Sequence, residues 1–147
     1  MAKISGLKRL AFAAAVAGAV LSDIDILFFY FVDGRAIHHH RYWVHVPLFW
    51  AIVAGTTLPI LWKSRFKSVG FAFFAAIYMH LILDSISGGI MWLAPLNTDL
   101  WALFTVTPSH SHWILSFLLH WTVLFEALIW ATAIYLYAKG RRHSSAG

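Results

Sequence analysis

Long uninterrupted apolar runs, rather than short periodic stripes, dominate this 147-residue chain. Four of them stand out, over roughly 10–32, 43–62, 69–87 and 113–138. Each approaches the ~20 residues with which an α-helix crosses a bilayer, whereas a membrane barrel would show short alternating segments. The pattern predicts an all-α polytopic bundle of about four transmembrane helices, forming one integral membrane domain over residues 1–147.

A shorter apolar stretch, residues 90–106, contains Pro95, Asn97 and Asp99. Non-helical backbone is tolerated at membrane depth only where protein or water satisfies its polar groups. We therefore expect an interfacial or re-entrant segment after the third helix, and not a further crossing.

The composition agrees with a membrane environment. The chain is 61% hydrophobic and 12% charged, whereas soluble domains average about 45–50% apolar and about 25% charged residues. Its N-terminus has the basic start of a signal peptide, but the apolar run continues to Val32, beyond a typical signal-peptide core. We interpret the first segment as a retained transmembrane helix.

Basic residues predict the orientation of the chain. If four helices cross, nine of the eleven Lys and Arg residues lie on one side, and only Arg35 and Arg41 lie on the other. Cytoplasmic loops carry the excess of positive charge. The chain is therefore expected in the inner (cytoplasmic) membrane with both termini in the cytoplasm. Membrane lipid is its expected partner, and no nucleic acid is expected.

Most histidines and acidic residues gather toward the opposite face. Eight of the nine histidines and five of the six acids fall in the outer half or its loops. Charged side chains at membrane depth cost about 2.5–3.5 kcal/mol each, so they normally have partners and a role. A divalent cation would neutralise the carboxylates and bind neutral imidazoles. With no cysteine in the chain, the ligands must be nitrogen and oxygen, which suits Zn²⁺, Mn²⁺ or Fe²⁺, and we prefer Zn²⁺ or Mn²⁺.

The spacing of these residues is informative in two helices and ambiguous in one. His80 and Asp84 are four residues apart and share a helix face, and His112 and His120 make a second stripe with that period. Asp23 and Asp25 are two apart and would point to nearly opposite sides of a regular helix. Either one alone is a ligand, or the helix is broken at this point.

Four short motifs follow one another between about residues 20 and 96. They are Ser-Asp-Ile-Asp at 22–25, His-Arg-Tyr-Trp-Val-His at 40–45, His-Leu-Ile-Leu-Asp at 80–84, and a glycine-to-Trp-Pro loop at 89–96. In this order they resemble the motifs of the LexA-regulated inner-membrane metal-dependent hydrolases, also called YdjM-like proteins. Ser22 replaces the family's proline, and Val44 and Val46 replace small hydroxyl residues.

The resemblance implies a hydrolase and a set of candidate metal ligands. These ligands are Asp23, Asp25, His40, His45, His80 and Asp84, with His112 and His120 as secondary candidates from the part of the chain that the motifs leave unmatched. Asp23 or Asp84 could instead serve as general base. Arg41 could pair with Asp33 or bind a substrate phosphate.

Three functions remain open on the sequence. The first is a metal-dependent hydrolase near the extracytoplasmic face, acting on a lipid or another amphiphilic ester or phosphoester. The second is a b-type haem protein, with His80 and His120 as axial ligands on neighbouring helices. The third is a non-catalytic membrane protein that binds or transports metal ions or protons.

Overall fold

The computed structural model describes residues 2–104, 115 and 118–144, and for 2–5, 39 and 140–144 it describes the backbone alone. The chain divides into two compact units, Met1–Phe104 and Thr105–Gly147, which are described separately. The first unit contains helices α1 (Ala2–Leu21), α2 (Asp25–Phe31), α3 (Pro47–Leu61) and α4 (Lys67–Asp84), and the second contains α5 (Thr122–Ser144). The predicted all-helical membrane fold is confirmed.

The first apolar segment is a helix with a break. A 3-10 turn, Ser22–Ile24, separates α1 from α2, so the alternative of a broken helix applies here. No side chain caps α2, and Ser22 therefore does not act as its capping residue. The tighter winding points the two acidic side chains into different surroundings. Asp25 is 0% exposed, whereas Asp23 is only half-buried.

Small residues bring α1 close to α4. Ala11, Ala15, Gly18 and Ser22 follow one another at spacings of four and three, so they share one face of α1. A Cβ on Gly18 would overlap the backbone carbonyl of Phe73. Such small residues let two helix backbones approach closely in a membrane. This contact brings the turn at 22–24 beside α4.

Helix α3 is shorter than the predicted segment 43–62. Residues Trp43–His45 form a 3-10 turn, and the helix begins at Pro47, since proline suits a first helical position and lacks the N–H that an earlier start would use. Its 15 residues span about 22 Å, less than the ~30 Å hydrocarbon core. Three other segments are long and apolar enough to cross a membrane, namely Gly6–Phe31, Lys67–Asp84 and Thr122–Lys139.

A compact apolar cluster lies beneath the polar end of α4. Trp50 of α3 packs with Phe74, Ile77 and Leu81 of α4 and with Ile90 of the following loop. Burial of large side chains of this kind contributes on the order of 1.5–3 kcal/mol each. The cluster fixes the end of α4 and the loop after it relative to α3.

Residues 85–104 contain no α-helix, as predicted for an interfacial or re-entrant segment. The loop is held in shape by backbone hydrogen bonds, including a two-way antiparallel bridge between Ile90 and Trp101 at 2.9 and 3.0 Å. The amide of Leu103 also donates to the carbonyl of Ser85 at 2.7 Å. The loop therefore returns to the end of α4.

In the second unit, helix α5 begins at Thr122. The fourth predicted segment began at residue 113, but residues 113, 114, 116 and 117 lie outside the described part of the chain. The side chains of 124–139 are exposed, as expected of a helix whose surroundings are lipid or another helix.

Candidate metal centre

Five of the predicted ligands come together at the end of α4. His80 and Asp84 project from α4, Asp23 from the turn between α1 and α2, and His40 and His45 from two 3-10 turns, His39–Arg41 and Trp43–His45. The three histidine side chains converge on Asp84 Oδ2. It lies 3.0 Å from His80 Nε2, 3.2 Å from His45 Nε2 and 3.8 Å from His40 Nε2.

These separations are those of ligands around one metal ion. Ligand atoms about 2.1 Å from a shared ion lie roughly 3–4 Å from each other. Two overlapping groups, Asp23–His45–His80 and His40–His45–Asp84, each offer three ligand atoms that lie within 4.8 Å of one another. Since both groups contain His45, the five residues form one continuous centre that could hold a metal ion.

His45 is fixed from behind by a buried carboxylate. Its side chain is fully buried, and Nδ1 lies 2.7 Å from Asp25 Oδ2. A carboxylate oxygen accepts, so Nδ1 carries the proton and donates. Burial opposes a charge on this imidazole, but the hydrogen bonds to Asp25 and Asp84 outweigh it and raise the pKa of His45 to about 9. A proton or a metal ion can therefore occupy Nε2, the nitrogen that faces Asp84.

Carbonyl groups hold His40 in the same way. Its Nδ1 lies 3.0 Å from the carbonyl oxygen of Gly88 and 2.9 Å from that of Gly89, and carbonyls can only accept. Burial and the neighbouring His45 lower the pKa of His40, so the ring is neutral at pH 7 and its Nε2 carries a lone pair. That lone pair is on the atom nearest Asp84 and is available to a cation.

Gly88 is required by this contact. A Cβ at position 88 would overlap Cε1 of His40, so any other residue would displace the ring. Gly89 has φ +77° and is buried, a left-handed conformation that glycine adopts without a steric cost. The two glycines let the loop after α4 approach the imidazole closely.

Asp23 and His80 form the more open side of the centre. Asp23 Oδ1 lies 3.5 Å from His80 Nε2. The Asp23 side chain is 45% exposed and that of Asp84 25%, whereas the Asp25 side chain is 1% exposed. Asp23 is therefore the carboxylate of the centre that is most accessible to solvent.

The donor set fits a divalent ion. Without one, the Nε2 lone pair of His40 would face a carboxylate oxygen in a largely buried place, which is unfavourable. An ion between them would instead be coordinated by the lone pairs of the imidazole nitrogen and of the carboxylate oxygen. In protein metal sites, a histidine ligand usually donates its second ring N–H to a carbonyl or a carboxylate. His40 and His45 have this arrangement.

Three other residues singled out in the sequence, Arg41, Asp33 and His120, lie in the described part of the chain. Arg41 ends the turn that carries His40, and its side chain is exposed. Asp33 accepts a hydrogen bond from the hydroxyl of Tyr42. In the second unit, His120 Nδ1 lies 2.9 Å from Thr122 Oγ1, and His112 lies outside the described residues.

Two features were not predicted from the sequence. Asp25 appeared there as a ligand, but its oxygen lies against the far nitrogen of His45. The carbonyls of Gly88 and Gly89 were noted only as part of a loop motif. A Gly-Gly pair directly after a His-x-x-x-Asp motif is the signal that could have indicated a close backbone approach.

The comparisons with known proteins agree with the motif pattern. The model of the YdjM inner membrane protein family matches residues 1–144, which confirms the resemblance seen in the four motifs. No curated protein and no solved structure gives a match. Because the family match runs over nearly the whole chain, the protein belongs to the YdjM inner membrane protein family.

Proposed function

We propose that this protein is a metal-dependent hydrolase of the inner membrane, with its site near the extracytoplasmic face. The observation that carries the proposal is the convergence of three imidazole Nε2 atoms on Asp84 Oδ2, at 3.0, 3.2 and 3.8 Å. Packing alone does not call for three imidazoles at one carboxylate oxygen, because burying such groups is costly unless they are paired or coordinate an ion.

The ligands in this proposal are His40, His45, His80 and Asp84. A mixed set of nitrogen and oxygen donors suits Zn²⁺ or Mn²⁺. When bound, the ion would polarise the scissile carbonyl or phosphoryl group and lower the pKa of a water molecule to about 7. Asp25 positions His45 in this arrangement and is not itself a ligand.

Asp23 is the proposed general base. It is the most exposed carboxylate of the centre, and the three imidazoles converge on Asp84 rather than on Asp23. A base must reach the attacking water, and an open position allows this. A proton taken by Asp23 could pass to the solvent that reaches its exposed side.

The proposed substrate is a lipid or another amphiphilic ester or phosphoester. The centre lies at the Asp84 end of one segment that is long and apolar enough to cross a membrane, Lys67–Asp84, and beside the 22–24 turn within another, Gly6–Phe31. A reactive group at that level would belong to a molecule whose other part lies among the acyl chains. Arg41, exposed and next to His40, would bind a phosphoryl oxygen.

The test is metal content in the purified full-length protein, measured by elemental analysis after loading with Zn²⁺ or Mn²⁺. We expect near-stoichiometric metal in the wild type and loss of it in His80→Ala and Asp84→Ala. His120→Ala, which alters a histidine that belongs to neither ligand group, is the matched control and should keep its metal. Full retention in both site variants would refute the proposal.

Two alternatives predict different outcomes. A non-catalytic metal carrier would keep the metal dependence but hydrolyse no ester or phosphoester in a lipid panel. A b-type haem protein would give a Soret band, but the carboxylates of Asp84 and Asp23 at 3.0 and 3.5 Å from His80 Nε2 disfavour a haem ligand, since haem potential and stability depend on a mostly apolar pocket around the axial histidine.

A further inference from the structure

A second concave site lies in the loop after α4. It is a cleft of about 580 Å³ lined by Trp92, Leu93, Asn97, Asp99, Leu100 and Trp101. This volume is in the range of small-ligand sites, which combine apolar walls with a few polar groups. The metal centre uses none of these six side chains.

The charge of the cleft has one source. Asp99 is the only charged residue between positions 85 and 104, and its side chain is exposed. Among the described residues, no cationic side chain forms an ion pair with it. The amide oxygen of Asn97 accepts the backbone N–H of Asp99 at 2.6 Å, which orients the turn that carries the carboxylate.

The walls of the cleft favour a cation as that partner. Two indole rings line the same cleft as the carboxylate, and the face of an indole attracts an ammonium group. The Trp92 ring is fixed, because its Nε1–H donates to Ser85 Oγ at 2.8 Å. Trp101 is half-exposed and held by its two backbone bonds to Ile90. Rings and a carboxylate together form the usual recognition site for amine headgroups.

The surroundings of the cleft indicate where the cation comes from. Leu93 and Leu96 on the same loop are 65% and 94% exposed, and such leucines are stable where they enter the acyl boundary of a membrane. Leucines in that environment would place the cleft at the level of the lipid headgroups. An anionic headgroup would be repelled by Asp99, whereas an ammonium group would be attracted.

Direct contacts join the cleft to the metal centre. Ser85, which holds Trp92, follows the ligand Asp84. A Cβ on Gly89 would lie 3.2 Å from the Cβ of Leu100, so the backbone segment that holds His40 touches the wall of the cleft. A single phospholipid with its phosphate at the ligands and its headgroup amine in the cleft would use this adjacency.

We infer that the cleft around Asp99 binds the ammonium group of a phospholipid headgroup, which makes amine-bearing phospholipids the substrate class of the proposed hydrolase. The assignment of these lipids as substrates rests on the proposed function. The binding itself does not require hydrolysis and can be measured separately.

The experiment compares two short-chain lipids that differ in the headgroup. Calorimetric titration of the full-length protein in detergent, with EDTA and again with Mn²⁺, measures the affinity for dihexanoyl phosphatidylethanolamine and for dihexanoyl phosphatidylglycerol. We expect tighter binding of the ethanolamine lipid in both conditions. Asp99→Asn and Trp101→Leu should each weaken that binding by about 3- to 30-fold, as lost ion–ring and ion–carboxylate contacts would, with the glycerol lipid not weakened by Asp99→Asn.

Asp33→Asn, which removes a carboxylate of the same unit that does not line the cleft, is the matched control and should leave both affinities unchanged. Equal affinity for the two lipids in the wild type, tighter binding of the glycerol lipid, or unchanged ethanolamine-lipid binding in both variants would overturn the inference. Hydrolysis without headgroup preference would overturn it and keep the proposed function. Headgroup preference in EDTA without any metal-dependent hydrolysis would keep the headgroup site and overturn the proposed function.

Discussion

The two sides of the metal centre are built differently. His40 and His45 come from 3-10 turns, and the far nitrogen of each ring is held by a backbone carbonyl or a buried carboxylate. Asp23 and His80 are positioned by the helical segments that carry them and face the more open side. The turn histidines need a second set of partners because their backbone alone does not fix the rings, whereas a regular helix such as α4 orients His80 through its own geometry.

This difference separates binding from reactivity. The held side supplies ligands whose orientation is set before an ion arrives, which reduces the entropy lost on binding. The open side keeps a carboxylate accessible to water and substrate. Variants on the open side should therefore lose hydrolysis, whereas variants on the held side should lose metal affinity.

The largest effect is expected on the open side. In Asp23→Asn the proposed base is lost while the four proposed ligands remain, so hydrolysis should fall by about 10²- to 10⁴-fold. The measurement is the initial rate on a phospholipid or ester panel together with elemental analysis. The metal content should stay near that of the wild type, and its loss would make Asp23 a ligand instead.

A smaller loss is expected on the held side, from Asp25→Asn. The amide oxygen still accepts a hydrogen bond from His45 but carries no negative charge, and loss of such a supporting carboxylate typically lowers metal affinity by about 10- to 100-fold. Competition with a metal chelator measures the affinity. Ser22→Ala is the control, because Ser22 is equally buried and its Oγ has no hydrogen-bond partner among the described residues. Equal affinities in both variants would remove Asp25 from the proposed centre.

Gly88→Ala tests the held side of the centre through the backbone that contacts His40. The added methyl group would overlap the His40 ring, and relief of such a clash typically costs about 1–3 kcal/mol. We expect weaker metal binding and a lower melting temperature. Gly55→Ala in α3, where a Cβ has nothing within 4 Å, should be neutral or slightly stabilising, since alanine favours a helix over glycine. An unchanged Gly88→Ala protein would contradict the role of the carbonyl pair.

The mildest test is pH, applied to the metal-free protein. Protonated His45 lies between Asp25 and Asp84, with His40 and His80 nearby. Because its pKa rises from 6.5 to about 9 on folding, the stabilisation is complete below pH 6.5 and is lost as the pH rises toward 9. The melting temperature should therefore fall across that range, and it should fall less in His45→Gln. A rise with pH in the wild type would contradict the assigned protonation.

The sequence predicted the helical membrane fold because long apolar runs have few other uses. It left a break at 22–24 open as one of two alternatives, and it did not predict the 3-10 turn at 43–45. Hydrophobicity reports which residues avoid water, and it is the same for Trp43 in a 3-10 turn as in an α-helix. The motifs drew attention to the residues that the structure brings together around Asp84, but they could not separate Asp25 from Asp23, because only the local winding decides which of the two is buried.

The contact between the Gly88 and Gly89 carbonyls and His40 has a thermodynamic consequence. The loop of residues 85–104 and the imidazole cannot shift independently, so anything that stabilises one arrangement of the loop also changes how well His40 is oriented. Linkage is reciprocal. A molecule that tightens the loop would strengthen ion binding by the same factor by which the ion strengthens the molecule's own attachment, and titrating either one in the presence of the other would reveal that common factor.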